Sequence, residues 1–206
     1  MAMADAYATF AEFKAATGLP VDTLQTTYEG LLLTVSRLIE KYTGRNFNST
    51  AAVRYFDGSG EGVIEVDDFT ALTLIEVDDG SGQWATSIAV PASWIVYTPY
   101  NAAEKGEPYT GLMLRPGYAG ATLSAWPALV FAVRTTGTMG WLAVPGAINV
   151  ATITIARQLR DLVESGLTMT LESVEQAVKV NPGAFHLLTS LQIEYSRRPP
   201  AALGAF

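Results

Sequence analysis

The sequence predicts an α+β protein, a small helical bundle formed by N- and C-terminal helices with an antiparallel β-sheet or sandwich region inserted between them. Three observations carry this expectation. Leu24, Tyr28, Leu31, Leu32, Val35, Leu38, Ile39 and Tyr42 recur at three- and four-residue spacings, the period of a single helix face. Residues 51–140 switch to short runs of Val, Ile, Tyr, Trp and Thr between clusters of Gly, Pro, Asn and Asp, a texture of strands and turns. After Pro145 the helical period returns through Ile148, Thr152, Ile155, Leu159, Leu162 and Val163.

The elements follow in order. In residues 6–45, Thr9 with Glu12 forms a capping-box pattern and Gly18 marks a stop, so a first short helix is expected. Asp22 with Gln25 repeats the cap after Pro20, and the long helix that follows should end near Gly44. In residues 51–140 the candidate strands are Val53–Phe56, Val63–Val66, Leu72–Val77, Trp94–Tyr97, Gly111–Leu114 and Val130–Thr135. Residues 144–165 open with Pro145, which the first turn of a helix tolerates. That helix should run to Gly166 and pack on the long N-terminal one. Residues 170–206 hold a weaker segment, Leu171–Val180, the turn signal Asn181-Pro182-Gly183, and a short final helix carrying Phe185, Leu188, Leu191 and Tyr195. The last residues read as a tail without a core of its own.

Composition narrows the function classes. With 206 residues, 49% apolar and 16% charged, the chain has enough apolar surface for a buried core, and disorder throughout is excluded. No apolar run approaches the roughly 20 residues of a membrane helix. The start MAMADAYATF lacks a positive stretch followed by an apolar one, so no signal peptide is expected. The absence of cysteine excludes disulfides, thiolate metal sites and cysteine nucleophiles. Thirteen basic against twenty acidic residues give a net charge of −7, which repels phosphate backbones and disfavours a sequence-reading nucleic-acid binder. The single histidine, His186, leaves little for general base catalysis or zinc. The chain reads as soluble, acidic and not an enzyme.

Candidate chemistry is sparse. Asp67-Asp68 and Asp78-Asp79 each follow a candidate strand, where aspartate commonly starts a turn by accepting from its own backbone. Asp57-Gly58-Ser59-Gly60-Glu61-Gly62 with Asp68 faintly resembles a calcium loop, but the expected helices and terminal glutamate are missing. A glycine-rich hairpin explains it better. No Walker loop, dinucleotide fingerprint or nucleophile elbow occurs, and no cofactor is expected. The four tryptophans and nine tyrosines could suggest a sugar-binding face, although aromatics on strands more often anchor cores and interfaces.

One block is diagnostic. Val133-Arg134-Thr135-Thr136-Gly137-Thr138-Met139-Gly140-Trp141, then Val144-Pro145-Gly146-Ala147-Ile148, resembles the head–tail connector proteins of tailed bacteriophages, also called head-completion or adaptor proteins. Three further segments fit: Ile39-Glu40-Lys41-Tyr42-Thr43-Gly44-Arg45, Arg54-Tyr55-Phe56-Asp57-Gly58, and Trp94-Ile95-Val96-Tyr97 before Thr98-Pro99-Tyr100-Asn101. The resemblance covers residues 8–165 in order and extends to gene-transfer-agent relatives. Family members often carry tryptophan where this chain has Met139.

The resemblance implies a non-enzymatic adaptor of the virion neck, assembled in the host cytoplasm. It implies a cyclic ring of about twelve copies beneath the portal protein, extending the DNA channel and docking the next neck, stopper or tail protein. DNA would pass without specific binding, and no membrane is involved. On this reading Asp67, Asp68, Asp78 and Asp79 are candidates to face the channel. Phe185, Leu188, Leu191, Tyr195, Arg197, Arg198 and Phe206 are candidates to bind the portal, with residues 181–206 expected to be dispensable for folding. The alternative is that this segment packs back on the subunit's own helices. The competing class of function is a monomeric β-rich module binding a glycan or peptide.

Overall fold

The structure is a computed structural model and describes residues 6–19, 24–80, 82, 84–115, 123–164 and 170–196. The chain divides into two compact units, Met1–Phe47 with Val144–Phe206, and Asn48–Ala143. The first is helical and the second holds the sheet, so the α+β class predicted from the sequence is the one observed.

In the helical unit α1 (Phe10–Thr17) opens on the Thr9–Glu12 capping box and ends at Gly18, whose φ of 68° closes the helix in the left-handed conformation. α2 (Gln25–Thr43) buries Tyr28, Leu31, Leu32, Val35, Leu38 and Ile39 and ends at Gly44 in the same way, with φ 67°. Asp22 lies outside the described residues, and Leu24 at the N-cap position makes no side-chain cap. α3 (Gly146–Gln158) follows Pro145 and buries Ile148, Ala151, Thr152 and Ile155. The expected single helix to Gly166 is broken at Leu159 (φ −101°, ψ 12°), and α4 (Arg160–Glu164) follows. The spacing does not reveal the break because Leu159 at the break and Val163 beyond it, four residues apart, are both buried. The Leu162 side chain and Gly166 lie outside the described residues. α5 (Leu171–Val180) buries Val174 and Val178. α6 (Pro182–Tyr195) starts on Asn181, whose side chain accepts the Ala184 N–H, with proline in its first turn. It packs against α2, α3 and α5.

Polar ties fix the ends of this bundle. The Tyr7 hydroxyl donates to Glu40 Oε1 at 2.6 Å and accepts the Phe47 N–H at 3.0 Å. Burial, then the bond to Glu40, pushes the Tyr7 phenol far up, so it stays protonated. Glu175 on α5 receives Lys41 of α2 at 2.6 Å and Lys179 of its own helix at 3.0 Å. The Lys41 hydrogen bond, then that of Lys179, brings the Glu175 carboxyl down to about 2. A depressed carboxyl contributes stability above its unfolded value and loses it as pH falls towards the folded one. Thermal unfolding should therefore show a loss of stability between about pH 4.5 and 2 that Glu175→Gln removes. An unchanged pH profile in the variant would refute this role for the Lys41–Glu175 tie.

In the sheet unit the strands are β1 (Thr50–Phe56), β2 (Val63–Val77), β3 (Ile88–Ala89), β4 (Ile95–Thr98), β5 (Tyr109–Leu114) and β6 (Val133–Met139). The order is β1-β6-β2-β5-β4, every pairing is antiparallel, and β3 adds to β2. β2 is the organising strand. Its first half pairs with β5 and its second with β6, with register shifts between Glu65 and Phe69, Phe69 and Ala71, and Leu72 and Leu74. Arg54 of β1 reaches Asp67 in the first half of β2 at 3.7 Å, so the sheet curls rather than lying flat. One core gathers Ile64, Val66, Phe69 and Ile75 of β2 with Leu112 of β5, Val133 of β6 and Trp126.

Three expectations are corrected here. The turn expected at Asp67-Asp68 is absent, because β2 runs through both residues. Asp68 is buried, its carboxylate accepts the Trp141 indole N–H at 3.2 Å, and its carbonyl accepts the Gly140 N–H at 2.6 Å. A partner 73 residues away in sequence thus supplies what a local turn would have supplied. The strand expected from Val130 begins only at Val133, after a turn in which Phe131 adopts φ 52°. Trp94 belongs to a 3₁₀ turn, and β4 begins at Ile95.

Candidate interaction surface

The diagnostic block is first a structural device. Gly137 lies in β6 opposite Ala52 of β1 and Leu72 of β2, where the register of β2 shifts. A Cβ at Gly137 would run into the Ala71 carbonyl oxygen and stand 2.7 Å from the Leu72 Cα. The close approach of two backbones, rather than a turn, requires glycine there. Gly140, with φ 91°, then swings the chain so that Trp141 reaches Asp68.

The other predicted acidic residues divide. Asp67 is exposed and paired with Arg54. The Asp78 carboxylate accepts the N–H groups of Gly80 and Gly82 at 3.2 and 2.9 Å, the turn role read from the sequence, and Asp79 beside it is exposed. Asp68, enclosed in its own unit, cannot face a channel. The calcium-loop residues are likewise engaged, with Asp57 Oδ1 accepting the Phe131 N–H at 2.8 Å and Ser59 Oγ donating to the Val63 carbonyl at 2.8 Å. Among the described residues no three His, Asp or Glu side chains converge as a metal site would require, and no helix is long and apolar enough to cross a membrane.

The portal-binding candidates on α6 are also redistributed. Leu188 and Leu191 are buried core of the helical unit, and the Tyr195 ring packs edge-on against Phe47 at 5.4 Å. The apolar stripe of α6 is therefore covered within its own unit, and deleting residues 181–206 would remove Leu188 and Leu191 from that core. Phe185 remains partly exposed. Arg197, Arg198 and Phe206 lie outside the described residues. His186 is exposed on α6.

Trp126 and Trp141 are buried, which removes them from any sugar-binding face. Trp84 instead covers the Arg134 guanidinium at 4.8 Å and meets the Tyr55 ring at 5.2 Å. Arg134 binds Glu76 through Nε and Nη2, both at 2.7 Å, and Ser87 Oγ donates to the same carboxylate. The Arg134 hydrogen bonds hold the Glu76 carboxyl below the usual carboxylate range. This bidentate pair fixes β6 to β2 and offers no proton near neutral pH.

What the sheet unit presents outward is a braced apolar tip. The Gly58 N–H binds the Leu129 carbonyl at 2.9 Å, the Gly60 N–H binds the Trp126 carbonyl at 3.1 Å, and the Trp126 N–H binds the Glu61 carbonyl at 2.9 Å. A Cβ at Gly58 would overlap the Pro127 carbonyl oxygen, so the glycine-rich turn is the cradle on which residues 126–132 rest. Above it Leu129, Val130 and Phe131 stand in solvent. Phe131 keeps a left-handed backbone that costs a bulky residue about 1–3 kcal/mol. The sequence signal, a proline-containing run of apolar residues after a glycine-rich turn, is visible only once the two segments are known to meet.

No protein-family model and no curated protein matches the chain. Solved structures do. A chain from the neck of an empty gene transfer agent particle, computed with C6 symmetry, matches at 15% identity and a TM-score of 0.54, covering 97% of this chain and 93% of that one. A chain from the virion of a native gene transfer agent particle matches at 17% identity and a TM-score of 0.56, with the same coverage. This chain shares its fold with components of gene transfer agent particles over both of its units.

Proposed function

We propose that the chain is a structural adaptor of the neck of a phage-like particle, a bacteriophage or a gene transfer agent, and not an enzyme. The observation that carries this reading is the nearly end-to-end fold likeness to a chain from a gene transfer agent neck. The ordered motifs from Ile39 to Ile148 support it, as does a surface whose salient features are an apolar tip and acidic turns. In this role copies of the chain form a ring beneath the portal protein, extend the DNA channel and dock the next neck or tail component. Asp67, Asp78 and Asp79 are the acidic candidates for the channel wall, where negative charge would let phosphates pass without gripping them. Phe185 with residues 197–206, carrying Arg197, Arg198 and Phe206, is the candidate portal contact.

The experiment is native mass spectrometry of the purified chain with the portal protein of the same genome, repeated with a chain ending at Ser196. The full chain should add to the portal and the truncated one, which keeps Leu188 and Leu191, should not. Equal addition by both would refute the tail as the contact.

A further inference from the structure

The sheet unit carries two largely apolar features that match each other. The first is the tip of Leu129, Val130 and Phe131, exposed to 48%, 71% and 62%. Its shape is set by the Phe131 N–H on Asp57 and by the Leu129 carbonyl on Gly58, so little ordering is needed when it docks. The second is a groove of about 270 Å³ lined by Leu72, Leu74, Ile75, Val90, Pro91 and Tyr97. An apolar cavity of about 150 Å³ already admits a benzene-sized ring, so the groove has room for the Phe131 side chain and part of its neighbour.

Charge selects the occupant. The chain carries −7 overall, yet residues 69–75, 80–103 and 116–133 contain no Asp, Glu, Lys or Arg. These segments supply both the tip and the groove. Two copies repel one another over most of their surface, and contact costs least where both faces are neutral. The groove lining offers no charge to pair with a charged partner, and at the tip the exposed Asp57 carboxylate already accepts the Phe131 N–H. A second copy finds an apolar tip for its groove.

We propose that the Leu129–Phe131 tip of one copy seats in the groove between Leu72–Ile75 and Val90–Tyr97 of a second copy. Tip and groove are different patches, so the contact is head-to-tail and each copy can pass it to the next. The inference rests on the neck reading only for closure into a ring, and the pairwise contact is testable without a portal.

The chain has no native cysteine, so single introduced thiols report contacts directly. Val130→Cys and Leu74→Cys are prepared separately, checked for native circular dichroism, and mixed under oxidising conditions. The mixed disulfide dimer is expected to exceed by about tenfold the one formed by Val130→Cys with Val150→Cys, because docking raises the effective concentration of the two thiols. Val150 is exposed at 62% on α3 and serves as the non-contact control. One chain bearing both Val130→Cys and Leu74→Cys should give a ladder of linked multimers, and adding Phe131→Ser should abolish it. Equal cross-linking of Val130→Cys to both partners, absence of any cross-link, or a dominant Val130→Cys self-pair would overturn the proposal. If that happens while the portal still collects subunits, the neck reading stands and the tip meets some other protein.

Discussion

Gly137→Ala is expected to unfold the sheet unit at temperatures where the parent chain is folded. The added methyl group would meet the Ala71 carbonyl oxygen and the Leu72 Cα, both backbone atoms of β2, so no rotamer change relieves it. Overpacking in a core commonly costs about 1–3 kcal/mol. Here β6 must separate from the strand on which it is registered, and the expected loss is about 3 kcal/mol or more. For a unit of this size that lowers the unfolding midpoint by about 12 °C or more. Thr138→Ala, at the adjoining and partly exposed position, should cost less than about 1 kcal/mol. Circular dichroism melts of the two variants decide the matter. Equal, small shifts would mean that the β2–β6 approach is looser than described, and the motif would then need another explanation.

Leu188→Ala carries the second large effect. Leu188 is fully buried on α6, which packs on α2, α3 and α5, and removing a leucine side chain from such a site costs about 2–5 kcal/mol. The variant should lose stability in chemical denaturation, whereas a leucine on a docking face would change partner binding and leave the free chain's stability intact. Phe185→Ala, at a position 40% exposed, is the natural contrast, with a loss of about 1 kcal/mol or less. A stable Leu188→Ala protein would return the α6 stripe to the list of partner contacts.

These two residues also show how far the sequence could be read. The stripe on α6 was legible as a stripe, but three- and four-residue spacing says only that one face is apolar, not which molecule covers it. The same spacing located α2 and the start of α3 well, because both lie within the core that they share, but it did not show the break at Leu159. Caps were legible where they act locally, as at Thr9, Gly18 and Gly44. What stayed hidden depends on partners distant in sequence. Asp67-Asp68 read as a turn because its pairing with Arg54 and Trp141 is a property of the curled sheet. Gly137 belonged to a recognisable motif, yet its reason, a backbone approach at a register shift, required the register. The apolar tip was read partly as the start of β6, since nothing local announces that Phe131 will be held with positive φ by Asp57. The candidate surface was thus less legible than the fold.

Portal loading by the full chain tests membership of the neck. Native mass of the portal assembly should rise by whole multiples of 22.0 kDa and saturate at one set of subunits per ring. A portal assembly whose mass does not change at saturating concentrations of the folded chain would rule out a place beneath the portal.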